Sequence, residues 1–168
     1  MKNLSVPVTL VVLLTLSCHV QATASACEAD RYQDFNFWLG HWEITTPDGQ
    51  FAGVNLIEKQ YDGCVITEQY ANASGPYGTS INIYDKTTGK WYQTWADKSG
   101  LRLPLEGGLV DGVMVMGGKT LGQTGEVIHK ISWTPEENGS VIQHWQVRKA
   151  DETQWQTLFK GIYTKKTD

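Results

Sequence analysis

Apolar and polar residues alternate with a period of two along most of the chain after residue 41, a pattern typical of β-strands with one buried face. Turn sequences such as Pro47-Asp48-Gly49 and Asp111-Gly112 interrupt the alternation at short intervals. This spacing predicts about ten strands joined by tight turns. The predicted strands are Trp42–Thr46, Gly53–Lys59, Cys64–Ala71, Gly78–Tyr84, Lys90–Ala96, Leu101–Gly107, Val113–Gly117, Glu126–Thr134, Ser140–Arg148 and Trp155–Thr164.

Short connections between successive strands predict an all-β, antiparallel, up-and-down sheet. A meander of about ten strands must close or fold over, because open sheet edges invite aggregation. We therefore expect a closed barrel formed by residues 27–168 as a single domain, with a short helix around Asp30 to Asp34 before the first strand.

The alternation also predicts which side chains point into the barrel. The inward residues are Trp91, Gln93 and Trp95 in one strand, and Val127, His129, Ile131 and Trp133 in another. In strand Ser140–Arg148 the residues expected to point inward are Val141, Gln143, Trp145 and Val147. In strand Trp155–Thr164 they are Trp155, Thr157, Phe159, Gly161 and Tyr163. Strands Gly53–Lys59 and Gly78–Tyr84 can be assigned either way. Glu68 faces inward if Ile66 and Tyr70 do, and Asn82 does so in one of the two alternatives for its strand.

The N-terminus has the pattern of a secretion signal. Lys2 precedes a largely apolar run, Val6 to Leu16, which is too short to span a bilayer. Small residues follow, and cleavage after Ala22 or Ala26 satisfies the small-x-small rule. Residues 1–26 are therefore predicted to be a signal peptide, with no integral membrane segment after its removal, which makes the mature protein periplasmic or secreted.

The cysteines agree with export. Cys18 lies in the predicted signal, which leaves Cys27 and Cys64 as an even pair in an oxidising compartment. We expect a disulfide between them. The alternative is a lipid-modified N-terminal Cys27, but the polar stretch after Leu16 is long for a lipoprotein signal, so anchoring by lipid is the less favoured interpretation.

Composition narrows the class of protein. The chain has 168 residues, with 14 Lys and Arg against 18 Asp and Glu. Loss of Lys2 with the signal leaves 13 basic and 18 acidic residues, so the mature net charge is −5. This balance argues against a nucleic-acid partner. All seven Trp, seven Tyr and four Phe lie after residue 26, an aromatic content that argues against disorder.

Polar residues between tryptophans on the inward faces predict a ligand pocket. A buried glutamine loses about 1–3 kcal/mol of folding free energy for each missing hydrogen-bond partner. Gln93 and Gln143 are therefore expected to bond to other protein groups or to a ligand. Apolar walls with a few fixed polar groups suit a small apolar or aromatic ligand. The predicted ligand-binding residues are Glu68, Asn82, Trp91, Gln93, Trp95, His129, Trp133, Gln143 and Trp145. The equally weighted alternative is a dry network in which Gln93 and Gln143 accept hydrogen bonds from Trp91 and Trp145.

Two further functions stay open. Glu68 and His129 could act as an acid–base pair in a barrel enzyme, although no catalytic motif, cofactor site or metal-ligand spacing is recognisable. Alternatively, the barrel could be a scaffold that acts through its loops at Ser74–Tyr77 and Gly117–Gly125.

Several segments resemble an uncharacterised family of secreted bacterial proteins. They are Phe35-Asn36-Phe37-Trp38-Leu39-Gly40-His41-Trp42-Glu43, Gly63-Cys64-Val65, Gly78-Thr79-Ser80-Ile81-Asn82-Ile83-Tyr84-Asp85, Trp91-Tyr92-Gln93-Thr94-Trp95, Gln143-His144-Trp145 and Phe159-Lys160-Gly161-Ile162-Tyr163. This family has no defined activity, so the resemblance implies none.

Gly40-His41-Trp42 is also similar to the Gly-x-Trp that opens the first strand of lipocalin-like (calycin) barrels. That resemblance implies that Trp38 and Trp42 are structural. It also implies that Trp42 plugs the barrel floor beneath a cation from a late strand. Calycins often use Arg for this contact, but no Arg follows Arg148, so Lys160 or Lys165 is expected to take its place.

Overall fold

Ten antiparallel strands account for most of the structure, a computed structural model that describes residues 26–123 and 125–166. Two short 3₁₀ turns, Asp30–Gln33 and Asn36–Trp38, precede the first strand, where a short helix is predicted. The strands are β1 Gly40–Thr45, β2 Phe51–Gln60, β3 Val65–Asn72, β4 Gly75–Asp85, β5 Lys90–Asp97, β6 Arg102–Val110, β7 Val113–Gly122, β8 Gly125–Pro135, β9 Val141–Lys149 and β10 Gln156–Lys165.

The sheet closes into the predicted up-and-down barrel. Each strand pairs with its neighbour in sequence, and β1 pairs with β10 to complete the ring. In that closing pair Trp42 lies opposite Lys165 and Ile44 lies opposite Tyr163. Every strand thus has two partners, so the barrel has no open edge.

The two ends of the barrel differ. In a meander, alternate turns lie at the same end, so the turns after β2, β4, β6 and β8 share one end with the start of β1. The 3₁₀ turns cover this end, which we call the plugged end. There the Phe35 ring stacks on Trp38, with centroids 4.7 Å apart, and contacts Trp91 and Trp133 edge-on. The turns after β1, β3, β5, β7 and β9 form the opposite, open end.

The segment before β1 is covalently fixed to the plugged end. Cys27 and Cys64 form the predicted disulfide, and Cys64 lies in the turn between β2 and β3. Lys59 adds a hydrogen bond to Gln33, 2.6 Å from nitrogen to oxygen. A disulfided cysteine has no thiol left for a lipid, so this bond argues against lipidation at Cys27.

Trp42 lies in the barrel floor, where the calycin resemblance places it. Its side chain is fully buried, and its indole N–H donates to the carbonyl oxygen of Trp38 at 2.9 Å. The Lys165 ammonium lies 5.3 Å from the Trp42 ring centroid. Of the two lysines expected to stack on Trp42, Lys165 makes the contact.

Most inward assignments are confirmed, but the start of the last strand is not. The register of β10 against β9 shifts between Thr157 and Phe159, and this bulge reverses the direction of the residues before it. Thr157 therefore bonds to His144 on the outer face, and the Trp155 ring lies beneath the cations of Lys130 and Arg148. The prediction that Trp155 and Thr157 face inward is wrong, because strand alternation alone cannot reveal a bulge.

The predicted signal peptide, residues 1–26, lies outside the described residues apart from Ala26. Within residues 26–123 and 125–166, no helix is long and apolar enough to cross a membrane.

Candidate ligand cavity

A cavity of about 450 Å³ occupies the open half of the barrel. Its lining runs from buried residues in the interior to exposed residues at the rim, so it is a pocket partly open to solvent. The buried members are Glu68, Gln93, Leu103, Ile131 and Tyr163. The others are Tyr70, Asn72, Tyr77, Trp95, Asp97, Ser99, Leu101, Gln143, Trp145, Leu158 and Phe159.

The structure brings five of the predicted ligand-binding residues together around this space: Glu68, Trp95, Gln93, Gln143 and Trp145. The other four, Asn82, Trp91, His129 and Trp133, are buried but do not line it. Trp91 and Trp133 pack instead around Phe35 at the plugged end. Asn82 and His129 lie behind the lining and hold lining residues in place, as described next.

A chain of buried polar side chains crosses four adjacent strands, β2 to β5. Asn55 and Ser80 each donate to one carboxylate oxygen of Glu68, both at 2.6 Å. Asn82 donates to the Ser80 hydroxyl at 3.0 Å, and Gln93 donates to the Asn82 carbonyl at 2.6 Å. Each link fixes the next, so Glu68 and Gln93 are held rigidly where they meet the cavity.

Glu68 is a buried carboxyl without a counter-charge. Among the described residues, no Lys, Arg or His forms an ion pair with it. Burial raises the pKa of Glu68, and the hydrogen bonds from Ser80 and Asn55 offset this only in part. The pKa of Tyr163 is also raised, first by burial and then by the charge of Glu68. An acidic group therefore dominates the electrostatics of the buried part of the cavity.

Aromatic rings line one side of the cavity in a continuous row, Tyr77, Tyr70 and Trp95, which we call the aromatic wall. The Tyr70 centroid lies 6.1 Å from that of Tyr77 and 6.2 Å from that of Trp95. The Tyr70 hydroxyl donates to the Ala52 carbonyl at 2.7 Å, and the Trp95 indole donates to Asp97 at 3.1 Å. Because the polar groups of Tyr70 and Trp95 are satisfied within the protein, these two rings offer the cavity mainly apolar surface.

Two inward glycines make room for this wall. A Cβ on Gly53 would lie 2.6 Å from a carbon of the Tyr70 ring, and a Cβ on Gly78 would overlap the Trp95 ring. Neither glycine has a left-handed backbone, so both are required by close approach and not by a turn.

Trp145 is fixed by His129 on another side of the cavity. Its indole N–H donates to Nδ1 of His129 at 3.1 Å, and Nε2 of that ring lies 2.8 Å from the Thr120 hydroxyl. An accepting Nδ1 requires the neutral ring with its proton on Nε2. Burial lowers the pKa of His129, in agreement with a neutral ring.

The hydrogen bonds separate Glu68 from His129. The Glu68 carboxylate bonds to Asn55 and Ser80, whereas the His129 ring bonds to Thr120 and Trp145. The structure therefore shows no direct acid–base pair between these two side chains.

The dry network predicted as an alternative has other partners. Gln93 donates to Asn82, and Gln143 accepts from the Tyr163 hydroxyl at 2.5 Å. The Trp145 indole goes to His129, and that of Trp91 has no hydrogen-bond partner among the described residues. The expectation that the glutamines accept from Trp91 and Trp145 is wrong, because Gln93 bonds to Asn82, its neighbour on β4, and Gln143 bonds to Tyr163 on β10. The barrel interior contains both a network of buried hydrogen bonds and a cavity, and the network holds residues of the cavity lining in place.

Sequence reasoning missed Asn55 and Ser80, which hold Glu68. Both belong to strands whose facing was ambiguous from the pattern. The signal that could have found them is the placement of Asn55 between Gly53 and Ile57, and of Ser80 between Gly78 and Asn82, since all six share the inward face.

No family model and no curated protein matches the chain. The functional conclusion therefore depends on the geometry of the barrel interior. Among residues 26–123 and 125–166, no cluster of His, Cys, Asp or Glu could hold a metal ion.

Proposed function

We propose that the protein is an exported barrel that binds a small, partly apolar ligand in the cavity. The single observation that carries this proposal is a space of about 450 Å³ at the open end, in which a buried carboxyl meets six aromatic rings. Small-molecule sites of about 300–1,000 Å³ with apolar walls and a few fixed polar groups are common. We further propose that the barrel is related to the lipocalin-like proteins.

Preorganisation supports binding. Glu68, Gln93, Trp95 and Trp145 each have a hydrogen-bonded partner that fixes their position before any ligand arrives. A site fixed in advance loses little side-chain entropy when it is filled. Asn55, Ser80, Asn82 and His129 hold three of these residues from behind the lining, whereas Asp97, which holds Trp95, lies in the lining itself.

Export is supported by the N-terminal sequence and by the disulfide. Cys27 follows directly on the predicted signal and is bonded to Cys64. Structural disulfides persist in oxidising compartments such as the periplasm or the extracellular space. We therefore place ligand capture outside the cytoplasm.

The alternatives receive less support. An enzyme that uses Glu68 would need a second group, and among residues 26–123 and 125–166 the carboxylate bonds only to Asn55 and Ser80. A scaffold that acts only through its loops needs no cavity, whereas this barrel contains one. The predicted loop at Gly117–Gly125 is in fact largely strand, and Tyr77 of the other loop lines the cavity.

Tryptophan fluorescence tests the proposal. Trp95 and Trp145 line the cavity, whereas Trp155 lies on the outer face. A screen of apolar and aromatic compounds should shift the emission and raise the melting temperature. Trp145→Phe should reduce the emission change, and Trp155→Phe should leave it intact. If no compound in a broad screen alters either signal, ligand binding in this barrel is disproved.

A further inference from the structure

We infer that the cavity selects a small arylalkyl amine in its protonated form, with the ammonium group at Glu68 and the aromatic ring against the aromatic wall. This inference rests on the proposed function and adds the charge and shape of the ligand to it.

The lining has one sign of charge. Its carboxyl groups are those of Glu68 in the interior and Asp97 near the rim, and among the described residues it includes no Lys, Arg or His. The Lys98 ammonium lies 5.1 Å from the Tyr77 ring centroid near the rim, but Lys98 is not part of the lining. An anionic ligand would find no cation in the described lining to compensate for the loss of its own hydration. A cationic ligand would supply the counter-charge that Glu68 lacks.

The Glu68 carboxylate has unused capacity for hydrogen bonds. Its two oxygens accept one bond each, from Asn55 and Ser80. A carboxylate accepts about four hydrogen bonds in all, so there is room for the donors of an ammonium group. Both existing donors are neutral, so neither cancels the charge that attracts the ligand.

Gln93 provides a second acceptor in the same lining. Its Nε2 donates to Asn82, which leaves Oε1 without a hydrogen bond among the described residues. The electron-rich faces of aromatic rings add to the attraction of cations at such sites. Carboxylate, amide oxygen and aromatic rings together recognise an ammonium group, whereas a neutral alcohol would use only part of this set.

The size and walls of the cavity fit an aromatic body on that amine. The aromatic wall is edged by the aliphatic side chains of Leu101 and Leu103. A ring joined to the ammonium by a short chain can contact this surface while the charge stays at Glu68. Offset or edge-on ring contacts stabilise such a complex beyond the effect of the area they bury.

The test compares three probes of similar size on the wild-type protein: 2-phenylethylamine, 2-phenylethanol and phenylacetate. Binding is measured by calorimetry and by the emission of Trp95 and Trp145 at neutral pH. We expect the amine to bind about tenfold or more tightly than the alcohol, as a charge-assisted hydrogen bond allows. The carboxylate should bind more weakly than both. This comparison needs no variant and so does not depend on how a mutant folds.

Glu68→Gln tests the role of the carboxylate, with Glu58→Gln as its matched control. Glu58 is exposed on the outer face of β2, so its replacement removes the same charge without touching the cavity. We expect Glu68→Gln to remove most of the preference for the amine and to leave the alcohol affinity within about threefold. Glu58→Gln should preserve the preference.

The outcomes separate the two proposals. Equal affinity for amine and alcohol, or tighter binding of phenylacetate, would overturn the amine inference while ligand binding stands. A preference that survives in Glu68→Gln would overturn it as well. If none of the three probes binds and the broad screen is also negative, both proposals fail together.

Discussion

Trp145 donates its indole N–H to Nδ1 of His129, so a residue that lines the cavity depends on the protonation state of one that does not. Nδ1 can accept this bond only while it carries no proton. The other ring nitrogen already faces the Thr120 hydroxyl. Acid should therefore disturb the cavity through His129 without any change in the lining residues themselves.

This dependence predicts a loss of stability in mild acid. The pKa of His129 is lowered in the folded state from an ordinary value of 6.5. As pH falls through 6.5, His129 binds a proton in the unfolded chain but stays neutral in the folded protein. The free energy of unfolding therefore decreases until the pH reaches the lowered pKa of the folded state. His129→Gln should reduce this loss, which is measured by melting temperature against pH. His41→Gln, at an exposed position of β1, serves as the control. A wild-type profile that matches His129→Gln would contradict the prediction.

Glu68 gives a pH dependence of opposite sign. Its pKa is raised from an ordinary value of 4.5, so the folded state holds a proton more tightly than the unfolded chain. Stability from this group is greatest below 4.5 and falls as pH rises from 4.5 through the raised folded pKa. Glu68→Gln should lack this decline, so its melting temperature without ligand should match or exceed that of the wild type at neutral pH. A large destabilisation by Glu68→Gln at neutral pH would contradict this expectation.

Gly78 should be intolerant of any side chain. An added Cβ would overlap the Trp95 ring and lie 2.9 Å from the Ala96 carbonyl oxygen, so the wall must move. We expect Gly78→Ala to cost about 1–3 kcal/mol in the free energy of unfolding, the usual range for overpacking. Gly108→Ala is the matched control, because a Cβ there meets nothing within 4 Å. If Gly78→Ala and Gly108→Ala lose the same free energy of unfolding in urea, then the lack of a side chain at Gly78 is not needed to position the aromatic wall.

The disulfide should contribute substantially to stability. It closes a loop with a sequence separation of 37. Chain-entropy models give ~3–4 kcal/mol for a loop of this size. The double variant Cys27→Ala/Cys64→Ala should lose about this amount in urea unfolding and retain the barrel by circular dichroism. A change below about 1 kcal/mol would mean that the packing of Phe35 and Trp38 holds the plugged end without the covalent bond.

The barrel follows from local sequence information. Its strands alternate regularly, its turns contain Gly, Asp and Asn, and consecutive strands pair in order, so no long-range rule was needed to predict the topology. The facing of β8 and β9 also follows from the pattern, because the largest apolar side chains, such as Trp133 and Trp145, lie on one face and the charged and most of the polar side chains lie on the other.

The cavity was predictable only in part. Glu68, Gln93 and Gln143 were recognised because polar residues stand out on an apolar face. The assignment of Trp133 to the pocket reflects a limit of this reasoning. Alternation shows whether a residue lies on the inner or the outer face of the barrel, but not where it lies along the barrel axis. That position decides whether an inward residue lines the cavity or packs at the plugged end. The bulge before Phe159 was hidden for a related reason, since it changes the period by one residue without a distinctive sequence.

The position of the plug has a practical consequence for handling the protein. Cys27 is bonded at the plugged end, and β10 ends there too, since Lys165 covers Trp42 in the floor. Both ends of the barrel domain therefore lie on the side opposite the opening. A barrel tethered to a sensor chip or a bead through either of these ends would present its opening to the surrounding solution, so immobilisation should leave access to the interior unobstructed.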